Sequence, residues 1–302
     1  RYRAGATEQV SRDVEFARAT LTRLAYDMSK AGPEQALARL GRIGDTLNRS
    51  LLGEAAGHLG DGEVIVVPPG RLHAVPWALL TDLRPRTFTV APSATLWLRA
   101  RRDRNSLAAQ GKRTNNGPVV LAYGPDLSTE AAEIPLLAAE YADNPAVSVL
   151  GGGSATAAAV LKAIDGAELA HIAAHGRFRA DSPLFSALDL DDGPLTVYDL
   201  ERLQRAPRQI VLSSCDSGVA APAGTDELLG LASALIPLGT SGIVASVVPV
   251  NDDAVVRLMT GLHRHLRAGD PLSRALQKAR TAMLSDPVEA ATSLSFLALG
   301  TG

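Results

Sequence analysis

Two short segments hold the residues whose types and spacing could do chemistry. In Ile210-Val211-Leu212-Ser213-Ser214-Cys215-Asp216-Ser217-Gly218 an apolar run leads into a turn of small residues carrying the chain's one cysteine. In Leu169-Ala170-His171-Ile172-Ala173-Ala174-His175-Gly176 a second apolar run ends in His-Gly. Only a thiolate is a strong nucleophile, and an ordinary cysteine is mostly protonated at neutral pH, so Cys215 needs a base. His175 can supply it if the two runs are neighbouring strands, which lie roughly 5 Å apart. Reacting groups gather at the carboxyl ends of parallel strands, where both residues would sit. Gly176, lacking a side chain, lets its backbone N–H face a developing oxyanion. Taken alone, the Cys215 segment fits a small buried hydrophobe better, the commoner fate of a free thiol.

His171 stands four residues before His175, but in a strand that spacing is about 13 Å, too far for two ligands of one ion. It is expected to be a hydrogen-bonded interior histidine. A single cysteine excludes an internal disulfide and a cysteine-rich zinc site. Neither a metal nor a cofactor is expected.

The elements that must position these residues are legible as periodicity. Val10, Val14, Ala17, Leu21, Leu24 and Met28 share a helix face, and Leu37, Leu40, Ile43 and Leu47 continue it beyond a break at Gly32-Pro33. This reads as a helical pair packed on the body, the alternative being a docking face for an upstream domain. Short apolar runs then predict strands over Glu63–Val67, Thr87–Val90, Val119–Tyr123, Val147–Leu150, Leu169–Ala173, Gln209–Ser213 and Gly242–Val248. Helices are predicted between them at Glu130–Tyr141, Ala157–Ile164, Val197–Leu203, Glu227–Leu235, Asp252–Leu266 and Pro271–Leu284. Asp270-Pro271 has the chemistry of a helix opening, a capping side chain before a proline. Arg101 to Gly117 is charged and glycine-punctuated and reads as a solvated linker. The alternation predicts an α/β fold, a mostly parallel sheet flanked by helices on both faces, with an N-terminal helical and α/β lobe.

The 302 residues allow one large domain or two of medium size, and 46% hydrophobic residues suffice for a packed core. A net charge of −2 argues against a nucleic-acid partner held by bulk electrostatics. No apolar stretch reaches membrane-spanning length and no signal-peptide pattern opens the chain, so a soluble cytoplasmic protein is expected. Arg1 in place of an initiating Met suggests a piece of something longer.

The motifs, in order, resemble the CHAT family of caspase-like cysteine peptidases. They are Leu72-His73-Ala74-Val75-Pro76-Trp77, the HIAAHG run ending at Gly176, IVLSSCDSG around Cys215, GTSGIVASVVPVNDD ending at Asp253, and GDPLSRALQKAR from Gly269. The resemblance covers about Glu63 to Gly300. It implies a caspase-like fold related to separase and gingipains, with residues 1–110 as an N-terminal lobe and 117–302 as the catalytic core. It maps the dyad onto His175 and Cys215. Backbone N–H groups of Gly176 and Cys215 would then hold the oxyanion. It further implies a protein substrate, a helical-repeat regulatory domain or partner protein, and in some family members a role in bacterial defence. In separase-like relatives an acidic residue receives a basic P1 side chain, which makes Asp216 and Asp252 substrate-binding candidates. Asn251 or Asp252 is equally suited to capping the helix that follows.

Other candidates read as structure. Gly151-Gly152-Gly153-Ser154 lacks the lysine of a phosphate loop, leaving a turn with Ser154 or Thr156 as helix cap. His73 and Trp77 read as packing between lobes. His263 and His265 read as a solvated basic face near a helix C-terminus. Val219–Thr225 reads as a loop of small residues beside the nucleophile. Against the peptidase stands a catalytically silent pseudopeptidase that holds a peptide in the same groove. A thioesterase or acyltransferase using the same Cys-His pair is the third class.

Overall fold

The computed structural model describes residues 7–26, 32–73, 75–109, 117–125, 127, 133–177, 183–213 and 235–301. Its body is an eight-stranded sheet built from β1 (Val64–Val66), β2 (Phe88–Val90), β3 (Val119–Tyr123), β4 (Val147–Leu150), β5 (Leu169–Ala173), β9 (Gln209–Leu212), β10 (Gly242–Ser246) and β11 (Phe296–Gly300). The spatial order is β1-β2-β11-β10-β9-β5-β3-β4. Every pairing is parallel except β10 with β11. β5 and β9 are buried along their whole length, as strands covered on both faces must be, which explains why they are apolar apart from His171 and Gln209.

Helices cover both faces. On one side α1 (Thr7–Ala25), α2 (Pro33–Leu51) and α9 (Pro287–Ser295) pack together, with α5 (Ala157–Ile164) and α6 (Val197–Leu200) further along. Val10, Val14, Ala17, Leu21, Leu24, Leu40, Ile43 and Leu47 are all buried there, so the apolar stripe of the first two helices is consumed by the body; Met28 lies outside the described residues. On the other side lie α4 (Glu133–Glu140), α7 (Asp252–Arg267) and α8 (Leu272–Thr281). Ala170 and Ile172 face the first layer, whereas Leu169 and Ala173 face the second, as strand alternation requires. A small antiparallel sheet, β6 (Gly176–Arg177), β7 (Ala187–Leu190) and β8 (Gly193–Thr196), follows directly on β5.

Four expectations need correction. The segment that composition presents as a linker from Arg101 is helix α3 (Ala94–Ala109) in its first half. Asp270 does not cap α8: its carboxylate pairs with Lys278 at 2.7 Å and with His265 at 3.5 Å, and the helix opens at Leu272 behind Pro271. His263 is fully buried rather than solvated. The strand β11 and the hairpin β7–β8 carry no predicted counterpart. The expected helix Glu227–Leu235 falls outside the described residues apart from its last residue, and the expected loop Val219–Thr225 does so entirely.

Candidate active site

β5 and β9 are hydrogen-bonded neighbours, with His171 opposite Val211 and Ile172 opposite Leu212. The offset between partners is forty residues. The main chain continues this pairing one step past β9, where the Ser213 N–H donates to the Ile172 carbonyl at 3.3 Å. His175 leaves β5 after the buried Ala173 and Ala174 and is itself partly exposed. Its carbonyl accepts the Asp189 N–H at 2.8 Å, and Gly176 beside it pairs with Leu188. His175 is thus gripped between the end of a buried strand and the hairpin that follows it.

Cys215 and Asp216 lie outside the described residues. Asp252 stands in the first turn of α7, which follows β10, the parallel neighbour of β9, and so belongs to the same carboxyl edge as His175. The cap of α7 is Asn251, whose side chain accepts the Ala254 N–H at 3.0 Å. That leaves the acidic residue beside it without the capping duty.

Beneath this edge runs a buried polar chain that sequence reasoning missed, apart from its one interior histidine. Nε2 of His171 is 3.2 Å from Oε1 of Glu133 and 3.1 Å from Oγ of Ser213, and the Ser213 hydroxyl donates to the same carboxylate oxygen. Nδ1 of His171 is 2.9 Å from Nε2 of His263, whose Nδ1 is 3.0 Å from the Tyr141 hydroxyl. Burial, with a smaller electrostatic contribution from the neighbouring His171 ring, pushes the His263 imidazole well below its ordinary range. Burial also raises the Tyr141 phenol, with Glu140 adding and Arg267 opposing. One assignment of protons satisfies the chain: Tyr141 donates to His263, His263 to His171, and His171 to Glu133. Glu168, three residues before His171 in the sequence, pairs with Arg208 instead, and Glu133 reaches His171 from α4, thirty-eight residues away.

Signals for these residues existed. Glu133 precedes the buried Leu137 by four residues and Tyr141 by eight, placing a carboxylate on the apolar stripe of α4. His263 follows the buried Met259 by four.

The glycine turn is held by carboxylates rather than open to an anion. The N–H groups of Gly153 and Ala155 donate to Asp191, that of Ala157 donates to Asp192, and Thr156 caps α5. The side chains of His73 and Trp77 are buried against the carbonyls of Gly70 and Leu72. Among the described residues no cluster of three His, Cys, Asp or Glu could hold a metal ion, and no helix is long and apolar enough to cross a membrane.

The fold is similar to that of separase from Saccharomyces cerevisiae, seen in two crystal structures of the separase–securin complex. In one the identity is 15% and the TM-score 0.58, with 79% of this chain and 15% of that chain covered. In the other the identity is 14% and the TM-score 0.57, with 79% and 16% covered. The chain therefore spans about one sixth of the separase chains it matches. Gingipain R, an Arg-specific cysteine proteinase, aligns at 12% identity and a TM-score of 0.49 over 98% of this chain and 76% of its own. No curated protein matches the sequence. Residues 37–294 match the CHAT domain, and with most of its length inside that match and a caspase-like α/β fold around it, the chain belongs to the CHAT-domain family.

Proposed function

We propose that the chain is a cysteine endopeptidase that hydrolyses peptide bonds through Cys215 and His175. The observation that carries the reading is the pairing of β5 with β9. Its forty-residue offset, seen for His171 with Val211 and Ile172 with Leu212, is also the separation of His175 from Cys215. In parallel strands, residues related by that offset leave the sheet side by side.

The Cys215 sulfur attacks the scissile carbonyl carbon while His175 takes the thiol proton. The carbonyl π bond opens onto oxygen, and the N–H groups of Gly176 and Cys215 hold that oxyanion, each worth about 3 kcal/mol. Collapse of the tetrahedral intermediate breaks the C–N bond, and the His175 proton goes to the leaving amine. Water then attacks the thioester, with His175 as base, and releases the acid and the thiol. Asp252 and Asp216 are the residues to receive a basic P1 side chain. The substrate is a specific protein, in the setting of bacterial defence, with activity held in check by a helical-repeat domain or a partner protein. The securin-bound state of the separase relatives supports such control.

The test is covalent labelling with peptidyl chloromethyl-ketones carrying Arg, Lys or Leu at P1. Labelling of Cys215 that is lost in His175→Ala is the expected result, with substrate cleavage abolished in Cys215→Ala. A chain that takes up none of these reagents, alone or with its partner, is a pseudopeptidase.

A further inference from the structure

The Glu133 carboxylate lies at the junction of the two strands that lead to the dyad. It is buried, and its Oε1 receives the Ser213 hydroxyl and stands 3.2 Å from Nε2 of His171. Ser213 is two residues before Cys215, and His171 is four before His175. Both side chains come from the same face of adjacent strands, and Ser213 lies where β9 has just ended. A segment leaving a sheet loses its ladder bonds, so a side-chain tie at that point decides where the next residues start.

Burying a carboxylate, two imidazoles and a phenol side by side is costly unless every group is satisfied. For packing alone, apolar residues would serve α4 and α7 better. Each side chain here has a partner, and the chain of contacts ends at the residue nearest the nucleophile segment.

We propose that Glu133 is a positioning residue for the nucleophile: through Ser213 and His171 it fastens together the ends of the two strands that lead to Cys215 and His175. The proposal rests on the dyad reading above. Glu133 acts by holding Ser213, which stands two residues before Cys215 in the sequence. His171 from β5 and Ser213 at the end of β9 touch Glu133, and behind His171 stand His263 from α7 and then Tyr141.

The chain has one cysteine, so its reaction with iodoacetamide reports Cys215 alone and needs no substrate. The pH profile of the alkylation rate gives the apparent thiol titration in the intact protein. A thiol beside His175 titrates below the ordinary value of about 8.5. His175→Ala is expected to move the midpoint up toward that value. Ser213→Ala and Glu133→Gln are expected to move it the same way by about one pH unit or more, whereas Ser213→Thr, which keeps the hydroxyl, restores the wild-type profile. Thermal unfolding of each variant is recorded in parallel. If His175→Ala shifts the profile but Ser213→Ala and Glu133→Gln lose only stability, Glu133 is structural and the proposal is overturned. If His175→Ala itself leaves the profile unchanged, the dyad reading fails and takes the proposal with it. Should Glu133→Gln not fold, Ser213→Ala decides.

Discussion

The Asp189 N–H donates to the carbonyl oxygen of His175 at 2.8 Å, so the hairpin β7–β8 holds the main chain of the candidate base from behind. The same Asp189 presents its carbonyl to Gly124, which ends β3 and donates its own N–H to Ala173. Three segments therefore meet around one peptide unit, and the tolerance there is small.

Gly124→Ala tests that tolerance. A Cβ at position 124 would lie 2.2 Å from the Asp189 carbonyl oxygen and 3.2 Å from the Ala174 side chain. The nearer atom is backbone and cannot swing aside, so the hairpin must shift. The expected cost is about 1–3 kcal/mol in urea unfolding, together with slower chloromethyl-ketone labelling of Cys215. Unaltered stability and unaltered labelling would show that the hairpin moves freely without disturbing His175.

His263 predicts a pH-linked loss of stability. Its imidazole is held well below the ordinary value of 6.5, so the folded chain keeps it neutral where the unfolded chain would protonate it. The unfolded state then binds more protons, and stability rises with pH. The contribution is complete above about pH 6.5 and is lost as pH falls toward the depressed folded value, at a slope of up to about 1.4 kcal/mol per pH unit. Urea unfolding between about pH 7 and about pH 5 should give a steeper fall for the wild type than for His263→Gln. Parallel curves would mean that the native state accepts the proton without penalty.

Asn251 and Asp252 should separate capping from recognition. Asn251→Ala removes the acceptor for the Ala254 N–H and should cost about 1 kcal/mol while leaving the P1 preference alone. Asp252→Asn removes a first-turn charge, worth about 0.3–1 kcal/mol, and on the proposed recognition role it should erase any preference for Arg or Lys over Leu at P1. A preference that survives Asp252→Asn assigns the basic-residue pocket elsewhere.

The sheet's centre was legible because buried parallel strands are written as unbroken apolar runs. Val119–Tyr123 and Leu169–Ala173 are strands over those same residues. β11 escaped notice because Phe296 follows Ser295 of α9 with no glycine or proline to mark the change. Helix α3 was hidden by charge, since Arg101, Arg102 and Arg104 read as part of a solvated linker despite the good helix propensity of arginine. For the site, a cysteine and a histidine after apolar runs made Cys215 and His175 candidates, and the resemblance to the CHAT family named them as a dyad. The Glu133–His171–His263 chain was not, because it joins elements separated by 38 and 92 residues, and only packing brings them together.

β11 has a consequence for the order of synthesis. It lies between β2 and β10, antiparallel to one and parallel to the other, yet it is formed by residues 296–300. A nascent chain that has not reached Phe296 holds β1–β2 and the five strands from β10 to β4 with no strand between them among the described residues. The strands that carry the dyad segments are made early, but the sheet around them closes only with the last strand of the body. A ribosome-bound chain would thus remain open at its centre until synthesis has passed that strand.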